Sequence, residues 1–134
     1  MSDYDPAIDN GERFLPCRQH GVIELEHLHR YALATLLATG KHVLDIACGE
    51  GYGSAMLAAC AASVRGVDIS ENVIRHASKK YPMPNLKFIP ADCGKRLPFE
   101  DHVFDLIVSF ETIEHHDRHE LMLEEFKRVL KPDG

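Results

Sequence analysis

The sequence lacks several features that would place it in a special class of protein. No apolar run approaches the roughly 18 residues of a membrane-spanning helix, and no stretch resembles a signal peptide, so we expect a cytoplasmic protein without a membrane partner. Its cysteines form no C-x-x-C pair, which argues against a disulfide framework or zinc knuckle and favours reduced thiols. The net charge of −6 argues against a nucleic-acid partner.

The chain of 134 residues is long enough for one domain with a substantial core. We predict an irregular lead-in over residues 1–21 and a single domain over residues 22–134. Within that domain, apolar periodicity and turn residues predict helices that alternate with short strands. The predicted elements are a helix at 22–38, a strand at 42–46, a helix at 55–62, a strand at 64–69, a helix at 71–80, strands at 86–89 and 103–110, and a helix at 116–130.

This alternation predicts an α/β fold with a doubly wound, Rossmann-like parallel sheet between two layers of helices. The sheet is expected to be truncated after the fourth strand and its helix. In the first helix, apolar residues recur at helical spacing and form a stripe, with mostly polar residues on the opposite face. The stripe consists of Leu25, Leu28, Ala32, Leu33, Leu36 and Leu37, and the opposite face of Glu26, His27, His29, Arg30 and Tyr31.

The stretch from Val43 to Ser54 organises the domain. It reads V-L-D-I-A-C-G-E-G-Y-G-S, an apolar run that ends in a turn with three glycines, and small and apolar residues follow it. Glycines leave room for a ligand to approach the backbone, and the start of a helix offers free N–H groups. A strand, a glycine turn and a helix in this order predict the first βα corner of a nucleotide-binding sheet.

Carboxylates stand where the predicted strands end. Asp45, Asp68, Asp92 and Glu111 fall at or just past the four strands, and Glu50 lies in the glycine turn. Because ligands bind beyond the carboxyl ends of parallel strands, these acids predict a ligand with positive charge and ribose hydroxyls. Asp68, at the end of the second strand, lies 17 residues after Gly51, which is about the offset at which an acid reaches a ribose.

Taken together, these motifs resemble a class I S-adenosylmethionine-dependent methyltransferase of the type 11 group, in its N-terminal portion. The chain would lack the last strands of such an enzyme. The resemblance covers most of residues 41–134, in the family's order. The matching pieces are V-L-D-I-A-C-G-E-G from Val43, G-V-D-I-S from Gly66, A-D-C from Ala91, L-P-F from Leu97, F-D-L-I-V-S-F from Phe104 and R-V-L-K-P-D-G from Arg128.

The resemblance implies a binding site for S-adenosylmethionine, with S-adenosylhomocysteine as the product. Asp45 and the Gly49–Gly51 turn would bind the methionine end, and Asp68 the ribose hydroxyls. Asp92 and the backbone N–H of Cys93 would read the adenine.

The backbone near Phe110 would meet the methionine amino group, and Ile69 is placed to pack on the adenine. Ala47 stands where the family usually has its first glycine, so a slightly tighter fit is expected there. The full set of implied donor-binding residues is Asp45, Ala47, Cys48, Gly49, Gly51, Asp68, Ile69, Asp92, Cys93 and Phe110.

The reaction implied is methyl transfer to a small-molecule or glycan acceptor. The segments E-R-F from Glu12 and E-H-L-H-R-Y from Glu26 resemble methyltransferases of cell-surface glycan loci, which favours a sugar. If the acceptor is a hydroxyl, a general base assists, and His115, Glu111 or a histidine of the first helix are the candidates. The spacing around His115 does not match the metalloprotease pattern, so no metal is expected.

Two alternatives to a methyltransferase remain. An NAD(P)-dependent oxidoreductase would use the same corner, but Ser54 replaces the third glycine of G-x-G-x-x-G and the acids would crowd a pyrophosphate. A non-catalytic S-adenosylmethionine-binding module would keep the fold without transfer. If family strands are missing after Gly134, the fourth strand is an open edge through which the chain could self-associate. We then expect weakened donor binding and little or no turnover.

Overall fold

A computed structural model of the protein describes residues 22–110, 112 and 117–134. The predicted lead-in over residues 1–21 and the candidate bases Glu111 and His115 lie outside the described residues. Four strands form one parallel sheet in the order β3-β2-β1-β4. The strands are β1 (His42–Ile46), β2 (Ser63–Asp68), β3 (Leu86–Pro90) and β4 (Leu106–Val108).

Among the described residues, four helices accompany these strands, with none between β3 and β4, and they complete the predicted α/β fold, which is confirmed. They are α1 (Val22–Ala38), α2 (Tyr52–Ala58), α3 (Glu71–Lys80) and α4 (His119–Val129). The chain winds outward from β1 to β3 and then returns to the other side of β1 for β4. The reversal puts the crevice of this doubly wound sheet beyond the carboxyl ends of β1 and β4.

Local sequence signals set most of the boundaries. Ser70 caps α3 by accepting a hydrogen bond from the Val73 N–H at 3.4 Å, as an N-terminal serine should. The helix α2 begins at Tyr52 rather than at residue 55, because Gly51 turns at a φ of 98° directly into the helix. The helix α4 begins at His119, three residues later than predicted.

The prediction of a strand over residues 103–110 was too long, since β4 spans only Leu106–Val108. Val103 and Phe104 pair with the end of α4 instead of with β1, whereas the Asp105 N–H still donates to the His42 carbonyl of β1 at 2.8 Å. The Val103 and Phe104 N–H groups donate to the Val129 carbonyl at 2.8 and 3.0 Å, and the Lys131 N–H donates to the Phe104 carbonyl at 2.8 Å. Val103 and Phe104 therefore hold the C-terminal segment of the chain beside the sheet.

Side chains of β1 alternate between the two faces of the sheet, and each face has its own core. Val43 packs with α1 and α2, whereas Leu44 and Ile46 pack with residues of the opposite layer. That second core consists of Leu44, Ile46, Val67, Leu97, Phe104 and Val129. The arrangement is the predicted sheet between two helical layers.

The predicted orientation of α1 was wrong. Tyr31, Ala34 and Ala38 face the core, while four of the five leucines lie on the outward face and Leu28 is half-buried. The exposed fractions are 66% for Leu25, 52% for Leu33, 76% for Leu36 and 59% for Leu37. Small alanines allow α1 to pack closely on α2, so leucine periodicity identified the wrong face of the helix. No described helix has both the length and the apolar character needed to cross a membrane.

Two neighbouring strands also fit together through a glycine. A Cβ on Gly66 of β2 would lie 2.7 Å from Cδ1 of Phe88 in β3 and 2.9 Å from Oγ of Ser54. The ring of Phe88 therefore occupies the space that a side chain at position 66 would need. At the other edge, Asp105 accepts hydrogen bonds from the His42 N–H and from Lys131 Nζ, both at 2.8 Å, so it makes a structural contact near the start of β4.

Candidate functional site

The turn between β1 and α2 lies at the point where the sheet reverses. The Cys48 N–H donates to the Val67 carbonyl at 2.8 Å, which ties the turn to β2. The Gly51 N–H donates to the Cys48 carbonyl at 3.2 Å and closes the turn on itself. Cys48 is buried in this arrangement, with 3% of its surface exposed.

The three glycines of the turn serve different purposes. Gly49 has a φ of 58°, and a Cβ there would have no atom within 4 Å, so open space lies beside it. A Cβ on Gly51 would lie 2.7 Å from the Phe88 ring, and one on Gly53 would enter the Tyr31 ring. Only Gly49 among the three leaves room for a ligand; the other two glycines are required by packing.

Asp68 links the end of β2 to the glycine turn. Its Oδ2 accepts a hydrogen bond from the Gly49 N–H at 3.3 Å, and its Oδ1 accepts from the Ser70 N–H at 3.0 Å. Only 4% of its surface is exposed, whereas the next residue, Ile69, is 67% exposed. The predicted meeting of Asp68 and the turn is therefore present, with an exposed apolar side chain beside it.

The loop after β3 lies close to Asp68. The Ala91 N–H donates to the Asp68 carbonyl at 3.0 Å, and Asp92 Oδ1 accepts from the Gly94 N–H at 2.9 Å. Burial, and then the negative charges of Asp92 and Asp68, raise the pKa of the Cys93 thiol. The predicted adenine-reading residues and the predicted ribose-binding acid thus belong to one neighbourhood.

Asp45 has different surroundings from the other acids. Its carboxylate is fully buried; Ser54 Oγ donates to it at 2.7 Å, and the Tyr31 hydroxyl lies 3.1 and 3.2 Å from its two oxygens. Burial raises the pKa of Asp45 to about 6, although both hydroxyl hydrogen bonds act in the opposite direction. The acid thus lies behind the turn, enclosed by α1 and α2.

Glu50 does not join the acids of the crevice, and its predicted place there was wrong. Its carboxylate is 2% exposed and accepts hydrogen bonds from the Tyr81 hydroxyl at 3.0 and 3.3 Å. Lys80 Nζ lies 3.3 Å from the same carboxylate. The lysine neutralises the acid, so Glu50 fastens the turn to the end of α3.

Sequence reasoning missed two residues that organise this crevice. Thr112 is buried; its Oγ1 lies 3.2 Å from the Ile46 and Phe110 carbonyls and accepts from the Ala47 N–H at 3.3 Å. It therefore joins the segment after β4 to the end of β1. Tyr31 is the second, and its ring makes edge contacts with Phe110 and Tyr52 at centroid distances of 5.1 and 5.3 Å. No motif in the sequence marks Thr112, and the E-H-L-H-R-Y segment that ends at Tyr31 was interpreted as a sign of a sugar acceptor rather than as part of this crevice.

The described residues include only some of the candidate general bases and potential metal ligands. Of the histidines of α1, His29 is exposed and His27 is half-buried. Among the described residues, no three side chains of the metal-binding types cluster. Glu111, Glu114, His115 and His116 lie outside the described residues.

Comparison with known proteins assigns a family to this arrangement. A profile described as a methyltransferase domain matches residues 44–134. A probable phthiotriol/phenolphthiotriol dimycocerosates methyltransferase 2 from Mycobacterium ulcerans is 36% identical over 97% of this chain and 50% of its own length. A probable S-adenosylmethionine-dependent methyltransferase from Mycolicibacterium smegmatis is 32% identical over 100% of this chain and 53% of its own length.

A solved structure has a similar fold. The PH0226 protein from Pyrococcus horikoshii superimposes with a TM-score of 0.70 at 36% identity, covering 84% of this chain and 54% of that protein. The chain spans about half the length of the curated relatives that it matches.

Proposed function

This chain belongs to the methyltransferase domain family, as its sequence motifs predicted, and we propose that it binds S-adenosylmethionine and carries the donor half of a methyltransferase site. The observation that carries the proposal is the contact between Asp68 and Gly49. It brings the acid at the end of β2 to the one glycine of the turn with open space beside it.

The chemistry of this crevice fits a cationic adenosine derivative. Asp68 and Asp92 provide negative charge and hydrogen-bond acceptors, and the Asp92 side chain is 29% exposed. Ile69 offers an exposed apolar surface next to Asp68. A pyrophosphate would face these acids unfavourably, which argues against the oxidoreductase alternative. Ser54 stands in place of the third glycine of G-x-G-x-x-G, and its hydroxyl donates a hydrogen bond to Asp45. This contact explains the serine at that position.

We assign roles to the residues of this crevice by extending the family pattern. Asp68 takes the ribose hydroxyls, Asp92 and the Cys93 N–H read the adenine, and Ile69 packs on its face. Gly49 gives the methionine end access to the backbone. The other members of the predicted set, Asp45, Ala47, Cys48, Gly51 and Phe110, shape the turn and the strand ends around it.

The reaction proposed is methyl transfer by in-line displacement on carbon. When bound, S-adenosylmethionine supplies a methyl group on positively charged sulfur. The chain's residues contribute alignment, and correct orientation of two reactants lowers a barrier by roughly 7–11 kcal/mol. If the acceptor is a hydroxyl, His115 or Glu111 would take its proton, since both follow β4 closely in the chain. Besides donor binding, the activity of the whole protein depends on the position of the acceptor.

We propose a small-molecule or glycan acceptor. The Mycobacterium ulcerans relative is named for phthiotriol and phenolphthiotriol dimycocerosates, which supports a hydroxyl on a lipid-like molecule. The resemblance to methyltransferases of glycan loci supports a sugar instead. A panel of long-chain alcohols and nucleotide sugars, assayed with a labelled methyl donor, separates the two classes.

Calorimetry with S-adenosylhomocysteine tests the donor site. The wild-type chain should bind, and Asp68→Ala should bind at least tenfold more weakly because two hydroxyl acceptors are lost, each worth about 1 kcal/mol or more. Glu71→Ala, an exposed acid three residues further on, is the matched control and should bind normally. Equal affinity for wild type and Asp68→Ala would refute the role of Asp68. Tighter binding of NADH than of S-adenosylhomocysteine would refute the proposed function. Donor binding without transfer to any acceptor, in a protein extended to the length of the relatives, would favour the non-catalytic module.

A further inference from the structure

Tyr31 touches three of the elements that surround the glycine turn. Its hydroxyl lies 3.1 and 3.2 Å from the two oxygens of Asp45, at the end of β1. Its ring stands against Tyr52 at the start of α2 and against Phe110 after β4. It also fills the space beside Gly53, where any side chain would collide with the ring. Tyr31 itself is 5% exposed.

We propose that Tyr31 is a positioning residue for the donor site, which acts through Asp45 by keeping that carboxylate ionised and oriented behind the glycine turn. The proposal rests on the proposed function, because it concerns binding of the same methyl donor. Two hydroxyls, from Tyr31 and Ser54, are within hydrogen-bond reach of this one carboxylate. An ionised carboxylate can only accept hydrogen bonds, so it satisfies both hydroxyls at once.

Protonation of Asp45 would disturb this arrangement. A protonated acid brings a third hydrogen into a space that already holds two hydroxyl hydrogens, so at least one hydroxyl must turn away. It also removes a negative charge from behind the turn, where a cationic ligand is proposed to bind. Loss of the Tyr31 hydroxyl has a related effect, because a hydrogen bond to the charged form favours ionisation.

The surroundings of this pair identify Asp45 as the group that titrates. The neighbouring strands place Gly66 and Val108 beside Asp45, and neither has a titratable side chain. Burial raises the pKa of Asp45 to about 6, whereas phenols and thiols ordinarily lose their protons above pH 8. Among the described groups around the pair, Asp45 is therefore the one that changes charge between pH 5 and pH 8. In the described part of the chain, the titratable groups that act on Tyr31 besides Asp45 are Cys48 of the glycine turn and Tyr52 of α2.

The test is a double-mutant cycle on the full chain, with S-adenosylhomocysteine as the probe and calorimetry between pH 5.5 and pH 8. Tyr31→Phe should weaken binding about tenfold at pH 7, as expected for a hydrogen bond to a charged group. It should also raise the pH at which half of the affinity is lost. In an Asp45→Asn background, the affinity should not depend on pH in this range, and Tyr31→Phe should change it less than about twofold.

Ala34→Gly is the matched control. Ala34 lies on the same buried face of α1, so this change loosens the helix without touching Asp45. Its affinity should follow the wild-type pH profile. The proposal is overturned if Tyr31→Phe and Ala34→Gly have the same affinity and pH profile. It is also overturned if Tyr31→Phe lowers the affinity equally with Asp and with Asn at position 45, because Tyr31 then has a merely structural role.

A ligand-free measurement separates this proposal from the proposed function. A carbon-13 NMR titration of the Asp45 carboxyl should give a higher pKa in Tyr31→Phe than in the wild type. An unshifted titration overturns the role of Tyr31 alone. A wild-type chain that binds no S-adenosylhomocysteine at any pH overturns the proposed function, and the positioning role with it.

Discussion

Arg128 binds Glu125 through two parallel hydrogen bonds of 2.8 Å, from Nε to Oε1 and from Nη2 to Oε2. The remaining N–H groups of the guanidinium bind Asp101 at 2.8 Å and the carbonyls of Phe99 and Leu97 at 2.8 and 3.1 Å. All five donors of the arginine are therefore used. The contact fastens the L-P-F segment, in the loop that follows Asp92 and Cys93, to α4, and so joins two motifs that are far apart in the sequence.

Arg128→Lys should lower the free energy of unfolding by about 2 kcal/mol, because one ammonium group cannot replace a planar fork and leaves two peptide carbonyls without a donor. Urea denaturation measures the change. Lys127→Ala is the control; this neighbouring side chain is exposed, so the effect should stay within about 0.5 kcal/mol. Equal stability of wild type and Arg128→Lys would show that the clamp contributes nothing.

Asp45 should give the stability a pH dependence of its own. Burial raises its pKa from 3.8 to about 6, so between these values the folded state holds a proton that the unfolded state has released. Its contribution to the free energy of unfolding therefore falls as pH rises from about 4 to about 6, by about 3 kcal/mol at most. Asp45→Asn lacks this loss, so its stability relative to wild type should increase over the same interval.

Urea denaturation of both proteins at pH 4.5 and pH 7.5 measures this difference. Stabilities of the two proteins are compared because other acids change the free energy of unfolding with pH in the opposite direction. Hydrogen bonds to cations lower the pKa of Asp101, Asp105 and Glu125, so their contributions are lost as the pH falls. These acids are present in both proteins and cancel. Parallel stability profiles for wild type and Asp45→Asn would contradict a raised pKa at Asp45.

Substitutions of two glycines in and after the turn should have different effects, one mainly on ligand binding and the other mainly on stability. Gly49→Ala should cost about 1 kcal/mol of stability, for its left-handed backbone, and should weaken S-adenosylhomocysteine binding, since its methyl group enters the open space. Gly53→Ala should instead lose about 3 kcal/mol through collision with Tyr31. Alanine normally stabilises a helix by about 1 kcal/mol relative to glycine, so this loss would be diagnostic. Calorimetry measures the binding and urea denaturation the stability of both variants. A larger loss of stability in Gly49→Ala and a larger loss of binding in Gly53→Ala would contradict these roles.

Self-association through β4 remains a prediction. In the described part of the chain, β4 has β1 as its one strand neighbour, so its other side is an open edge of the sheet. Free main-chain groups on such an edge favour pairing with a second copy. Sedimentation velocity should therefore show association that grows with concentration. A chain that stays monomeric and melts sharply at high concentration would contradict this prediction.

The sequence predicted the parts of the fold that depend on local chemistry. The glycine turn, other turn residues and the short apolar runs placed β1, β2, β3 and α3 within one or two residues. The meeting of Asp68 with the turn also followed, because the carboxyl ends of parallel strands share one edge.

Contacts between distant side chains could not be predicted in this way. Leucine spacing suggested the wrong face of α1, since a core face built on Tyr31, Ala34 and Ala38 is poorer in large apolar residues than the exposed one. Glu50 resembled a site acid because its partners, Lys80 and Tyr81, lie 30 positions away or more. Both errors arise from tertiary packing, which periodicity does not report.

The contact between Gly66 and Phe88 restricts how this domain can vary in evolution. A methyl group at position 66 and a full aromatic ring at position 88 cannot occupy the same space. Homologues with alanine at the first position should therefore carry a smaller residue at the second, and the two positions should change together. Part of the small-residue signature of this nucleotide fold is thus set by one ring on the adjacent strand.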